Sequence, residues 1–429
     1  MTSQEIGNWP EGFLRDDDST SAHDEIREVS KDDEIEDILN EPLPEGKYAN
    51  DSTLYKVFFI FIFGMASETK LWLVAVFLLS ATNIQQHYIV AGNPQVPCLF
   101  IFGDSLSDCG NNNNLKTDAK ANHPPYGIDF PNGPTGRFTN GRTSVDVLTE
   151  LLGFDAYIPP FANTTVSDIM KGVNYASASS GILYETGMNW GEHFSLKMQM
   201  EKHIGIVSKI IMKLRNSDEA KEHLSKCLYY VNTGSNDYIN NYFLPDHYNS
   251  SQTFSTDEFA EALIKEYSKN LMDLRSLGAR KFALIGLLPV GCIPGEISTH
   301  GKPGSLCVKE ENDAVVPFND KLKSLVDRFN EQFPDCKFIF INTVEAILAG
   351  MTKNVQDVNA GLDVFSCCKV GSNGLCIPNE NPCYNRNVRP FFDSYHPSEV
   401  TNEAIAAIAY NDVSTKAAYP MDISHLVKL

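Results

Sequence analysis

The stretch CLFIFGDSLSDCGNNNN (98–114) runs apolar for five residues, then breaks at Gly-Asp-Ser and a run of asparagines. A serine at the end of such a run is either part of a plain turn or a nucleophile held at the edge of a sheet. A serine hydroxyl attacks only when a base takes its proton, and the intermediate needs hydrogen-bond donors for its oxyanion. Ser105 therefore calls for a histidine with an orienting carboxylate. Among ten histidines, two sit in Asp-x-x-His: Asp393/His396 in FFDSYHPSEV and Asp422/His425 in MDISHLVKL. Three-residue spacing can put both side chains on one side of a turn. His425 lies four residues from the end of the chain, where termini fray. His396 sits between aromatic residues and a helix opening at Pro397, and is the expected base.

Two stretches offer oxyanion donors. In VNTGSNDY (231–238) the Asn236 amide follows a strand directly; in GVNYASASSGI (172–182) Gly181 has a backbone N–H that no side chain screens. Taken singly, both stretches are ordinary turn composition. GDSLS is not the G-x-S-x-G elbow, because Ser107 occupies the second glycine position. Asp104, next to the serine, is expected to bind local backbone N–H groups and not to act as a base.

Placing these residues requires a sheet. CLFIF (98–102), CLYYVN (227–232), KFALIGLL (281–288) and KFIFIN (337–342) read as buried strands. Amphipathic stretches at 143–153, 195–216, 256–279, 312–333 and 397–412 read as helices; in the third, Phe259, Leu263, Tyr267, Leu271 and Leu274 form one apolar face, stopped by Gly278. Near-continuous apolar strands alternating with helices predict a parallel sheet covered on both faces, with ligands beyond the carboxyl ends of its strands. Ser105 falls there.

FIFGDSLSDCGNNN, GVNYASASSGI, VNTGSNDY and FFDSYHPSE, in this order and with LIGLLPVGCIP (284–294) between, resemble the plant branch of the GDSL esterase/lipase family, the SGNH hydrolases. The resemblance covers about residues 96 to 420. It implies a single flavodoxin-like three-layer α/β/α domain, mainly parallel, that hydrolyses carboxylic esters of lipids, wall components or secondary metabolites without cofactor or metal. Matched motif by motif, it makes Ser105 nucleophile and backbone donor, Gly181 and Asn236 the remaining oxyanion donors, His396 the base and Asp393 its orienting acid. It also sets Asp422/His425 aside. Two departures stand out: Cys109 replaces a common asparagine, and ASASSG replaces a more glycine-rich stretch. The same acyl-enzyme could serve an acyltransferase, and the same fold a binding protein; the intact set Ser105, Asn236, Asp393 and His396 argues against the binding role, whereas no motif separates hydrolysis from transfer to another alcohol.

The net charge of −20 is concentrated at the start: residues 1–51 hold sixteen acidic residues against four basic ones, a local net of −12, which leaves −8 for the rest. No Lys/Arg stripe suits a nucleic acid, and no stable partner is indicated. Residues 1–56 read as a disordered acidic leader. Residues 57–92 read as an apolar targeting segment, with a signal peptide starting at Met65 and membrane anchoring through 57–81 as the alternative. The hydrolase domain is expected over 93–429, secreted or vacuolar. All ten cysteines lie after position 97, with Cys367, Cys368, Cys376 and Cys383 crowded together and Cys292 and Cys307 bracketing a Gly/Pro-rich loop. No C-x-x-C pair points to structural zinc, so disulfides are expected. Asn163 and Asn249 begin glycosylation sequons.

Overall fold

The computed structural model describes residues 94–344, 366–413 and 416–429. The expected leader and targeting segment lie outside these. Strand β1 (Leu99–Gly103) is flanked by β2 (Gly172–Asn174) and β3 (Leu228–Asn232); β4 (Lys281–Ile285) and β5 (Lys337–Ile341) follow. These five are parallel, and a two-residue antiparallel strand, β6 (Ala418–Tyr419), closes the order β2-β1-β3-β4-β5-β6. The order 2-1-3-4-5 is that of flavodoxin-like sheets, whose switch point lies between β1 and β3.

Alternation along each strand divides the core in two. Phe100, Phe102, Tyr229, Val231, Phe282, Leu284, Phe338 and Phe340 face one layer of helices: α2 (Leu196–Leu214), α4 (Thr256–Ser276) and α6 (Lys309–Gln332). Leu99, Ile101, Leu228, Tyr230, Ala283, Ile285, Ile339 and Ile341 face the other, which contains α1 (Ser144–Leu151) and α7 (Glu399–Tyr410). The chain forms three layers, α/β/α.

The elements differ from expectation in particular places. The helix expected over 195–216 ends at Leu214, and Asn216 caps an unforeseen helix, α3 (Ser217–Lys226). The last helix starts at Glu399 rather than Pro397, because Pro397 is engaged in an antiparallel bridge with Phe391. Helix α5 (Pro294–His300) lies between β4 and α6. Cysteines pair as Cys98–Cys227, Cys292–Cys307, Cys367–Cys383 and Cys368–Cys376, while Cys109 and Cys336 are buried free thiols.

Candidate active site

The turn after β1 begins where Gly103 lies against β3; a Cβ there would sit 2.5 Å from the Asn232 carbonyl oxygen. Gln199 of α2 fixes the same glycine, accepting its N–H at 3.0 Å and donating to its carbonyl at 2.8 Å. The Asp104 carbonyl then accepts the N–H groups of Ser107 and Asp108, and its carboxylate accepts that of Leu106 at 3.0 Å. Burial pushes the Asp104 carboxyl up to about 7, against the opposing pull of the Leu106 N–H. Asp104 thus organises the turn, and Ser105 is left half-buried at its crest.

His396 reaches this serine from the hairpin before α7, with Nε2 2.8 Å from Ser105 Oγ. Its Nδ1 lies 2.9 and 2.8 Å from the two oxygens of Asp393, which is fully buried. Asp393 Oδ1 also accepts the backbone N–H groups of Tyr395 and His396, at 2.8 and 2.7 Å. The carboxylate therefore holds both the turn and the imidazole. Tyr126 donates its hydroxyl to Asp393 Oδ2 at 2.6 Å, and accepts the Cys376 N–H at 3.0 Å. Burial and the adjacent Asp393 charge hold the Tyr126 phenol well above its usual range, so it remains a donor. Phe138 packs its ring 4.7 Å from that of His396. The preceding residue, Arg137, is anchored by a buried two-pronged pair with Asp146, both contacts 2.7 Å.

On the other side of Ser105, Asn236 occupies a single helical turn (Ser235–Asp237) directly after β3. One amide hydrogen of Asn236 goes to the Ser180 carbonyl at 3.0 Å. Its oxygen accepts from Asn240 at 2.6 Å, and Asn240 in turn accepts from the Trp190 indole at 2.8 Å. The second amide hydrogen is left for the cavity that Asn236 lines.

Gly181 is absent from that lining. Its position is required by packing: a Cβ would come within 2.5 Å of both Asp237 Oδ2 and Thr186. Asp237 gathers the Ile182 and Leu183 N–H groups and the Thr186 hydroxyl, at 2.7, 3.0 and 2.8 Å. Ala178 and Ser179 are the residues of this loop that line the cavity, and Ser179 is held at φ 67°, a backbone conformation rare for a residue with a side chain. None of the backbone hydrogen bonds of this loop is donated by Ser179, and its buried hydroxyl has no partner.

The asparagine run is the tie between the two turns. Asp108 accepts the Gly110 and Asn111 N–H groups with one oxygen and the Ala178 N–H with the other. Asn111 donates to the Asn174 and Ala176 carbonyls at 2.9 and 2.7 Å, and Asn112 to those of Ala119 and Ala178 at 3.1 and 3.2 Å. The loop after β1 is thereby bonded to the loop after β2.

The cavity at Ser105 measures about 50 Å³ and is walled by Leu106, Phe138, Ile239, Leu288, Ile293 and Leu375 among others. A groove of about 340 Å³ adjoins it, sharing Trp190, Ile239, Asn240 and Tyr395 and adding polar residues such as Asp118, Asn189 and Asn373. Asp422 and His425 line neither space: Asp422 caps the last short helix, and the His425 side chain is 63% exposed. Cys109 packs beside the Ile158 carbonyl, with its thiol pushed up by burial. Asn163 and Asn249 are both exposed.

Sequence reasoning missed Tyr126, Ser179 and Trp190. Only Ser179 left a signal, since it lies in ASASSG, which replaces a more glycine-rich stretch.

Comparison with known proteins gives the family. A family model described as GDSL-like Lipase/Acylhydrolase matches residues 99–409. The chain is 43% identical over 359 residues to the GDSL esterase/lipase At4g18970 of Arabidopsis thaliana, covering 83% of this chain and 99% of the relative. It is 46% identical over 339 residues to the GDSL esterase/lipase At1g29670 of the same plant, covering 78% and 92%. A third relative there, the GDSL esterase/lipase At5g45670, is 44% identical over 344 residues, covering 80% and 95%.

Proposed function

Because this chain belongs to the GDSL-like lipase/acylhydrolase family, and is an ester hydrolase of that type, we propose that it cleaves carboxylic esters through an acyl-enzyme on Ser105. The observation that carries this reading is the 2.8 Å contact from Ser105 Oγ to His396 Nε2, with His396 Nδ1 held by a buried Asp393.

In this reading the Ser105 hydroxyl donates its proton to Nε2 as the oxygen attacks the ester carbonyl carbon. Asp393 stabilises the imidazolium that forms. The new oxyanion takes the second Asn236 amide hydrogen and the N–H groups of Ser105 and Ser179. Ser179 replaces Gly181 in this role, because Gly181 backs onto Asp237. Collapse of the intermediate breaks the C–O bond, and His396 returns its proton to the departing alcohol. Water then repeats the sequence on the acyl-serine, releasing the acid and free Ser105.

The small apolar cavity suits a short acyl group, and the larger groove, whose walls mix polar and apolar residues, suits a hydroxylated alcohol. Esters of polar alcohols with short acids are therefore the favoured substrate class. Four disulfides among the described residues and two exposed sequons support folding in an oxidising, exported compartment.

The test is turnover of p-nitrophenyl esters from acetate to octanoate by residues 93–429 made in an oxidising compartment. Ser105→Ala should lose about 10³-fold or more with folding intact. His425→Ala should match wild type, and turnover should fall beyond butyrate. Undiminished turnover in Ser105→Ala would sink the mechanism, and a maximum at octanoate would sink the short-acyl assignment. Secretion is checked by fusing residues 65–92 to a reporter; retention inside cells would reject it.

A further inference from the structure

Helix α5 carries Glu296 and His300 four residues apart, on one face. The disulfide Cys292–Cys307 closes the segment that contains α5, and the first turn of α6 brings Glu311 against that face. His300 Nδ1 stands 2.5 Å from Glu311 Oε1 and 3.3 Å from Glu296 Oε2. Both carboxylates are buried, at 7% exposure for Glu296 and 3% for Glu311, whereas the His300 side chain is 40% exposed.

This arrangement lacks positive charge. Two buried carboxyl groups lie against each other and a single imidazole, and Glu311 Oε2 accepts no N–H group of the described residues. A buried carboxylate oxygen with no donor carries its full desolvation cost, and a cation removes that cost directly. One ligand atom from each of the three residues lies within 4.8 Å of the others. The other such trio among the described residues, Cys98, His223 and Cys227, is not open to an ion, because its two sulfurs are bonded to each other.

We propose that Glu296, His300 and Glu311 form a divalent-cation site, with zinc the ion their chemistry fits best. Zinc takes histidine nitrogen and carboxylate oxygen at about 2.0–2.1 Å in tetrahedral geometry, which sets neighbouring ligand atoms about 3.3 Å apart. The Glu296–His300 separation already has that value, and the Glu311–His300 contact needs to open by less than about 1 Å. Magnesium and calcium prefer an all-oxygen set, which the imidazole does not provide. The ion has a way in, since Glu296 and His300 line the 340 Å³ groove beside the catalytic cavity.

The site is mechanically joined to the catalytic turn. The Gly295 N–H donates to the Ser394 carbonyl at 2.8 Å, and a Cβ on Gly295 would lie 2.6 Å from the Tyr395 ring. An ion clamping α5 to α6 therefore stiffens the support of the turn that holds Asp393 and His396. No local pattern points to it, because the ligands come from two helices and include no cysteine.

The experiment strips the full chain with a chelator, then titrates it with zinc chloride alone, followed by calorimetry, bound-metal analysis and thermal unfolding. One zinc per chain should bind tightly and raise the melting temperature. His300→Ala, whose side chain is partly exposed, and the isosteric Glu311→Gln should each weaken that site by about tenfold or more and abolish the thermal shift. Far-ultraviolet circular dichroism confirms that both variants are folded. Zinc held equally by wild type and His300→Ala would overturn the proposal. So would the absence of stoichiometric zinc binding by wild type, which would mean that the two carboxylates share a proton instead of an ion.

Discussion

Ser105 depends on His396, His396 on Asp393, and Asp393 on a hydroxyl 267 residues away in sequence. Tyr126 touches no reacting atom; it orients the carboxylate and ties it to the Cys376 backbone. Tyr126→Phe should therefore lower kcat about tenfold with KM little changed, since removing a partner that orients a ligand or base typically costs 10–100-fold. A rise in KM with kcat untouched would show that Tyr126 serves binding instead. Ser179 offers a sharper distinction. Its proposed contribution is a backbone N–H, so Ser179→Gly, which also relieves the φ of 67°, should keep wild-type turnover. A loss of more than about tenfold would make the buried hydroxyl the donor. Ser105, Asn236, Asp393 and His396 were legible because each closes or follows a recognisable run. Tyr126 was not, because a contact between distant residues leaves no local pattern. Gly181 was misplaced because a glycine reads alike whether it faces a ligand or makes room for Asp237.

At the scale of elements, the four long strands were visible as apolar runs of the right length. Strand β2 was not, having a single apolar residue in Gly-Val-Asn, and β6 has only two residues. The break between α2 and α3 was hidden because Asn216, read as a helix end, is also the cap of the next helix. The asparagine run looked like a turn, and its first two residues, Asn111 and Asn112, are a buried connector. Asn111→Ala removes a donor from the Asn174 and Ala176 carbonyls, while the Ala162 N–H loses its acceptor. The variant should be less stable by about 2–4 kcal/mol in denaturant unfolding, at the cost of about 1–3 kcal/mol per buried group left unpaired. Unchanged stability would mean that water takes these bonds. Asn113, which donates to the Thr135 carbonyl from a half-buried position, should be milder.

At the scale of the whole molecule, His203 is a conspicuous investment. It is fully buried among Phe100, Phe102, Tyr175 and Tyr229, with Nδ1 3.0 Å from the Tyr175 hydroxyl and Nε2 without a partner. Burial lowers its pKa from 6.5 to about 3. Below pH 6.5 the unfolded chain takes a proton that the folded one refuses, so stability present above pH 6.5 is lost as pH falls toward 3. Asp104, Asp108 and Asp237, raised by burial to about 7, 6 and 6, act oppositely: stability falls as pH rises from 3.8 through those values. The His203 share is isolated by difference. His203→Phe should narrow its stability deficit, or widen its gain, relative to wild type by on the order of 3 kcal/mol between pH 7 and pH 4. Parallel pH profiles for the two proteins would place the acid sensitivity elsewhere.

The pair Cys98–Cys227 spans 129 residues and joins the residues just before β1 and β3. Everything from the Ser105 turn through α3 is thus a closed covalent ring. A protease that cuts the ring anywhere beyond Ser105 leaves a fragment bearing the serine and another bearing Asn236, Asp393 and His396, still one molecule until a reductant separates them. Damage in this half of the protein would pass unseen on a non-reducing gel, and the serine would remain tethered beside the strand that carries its asparagine.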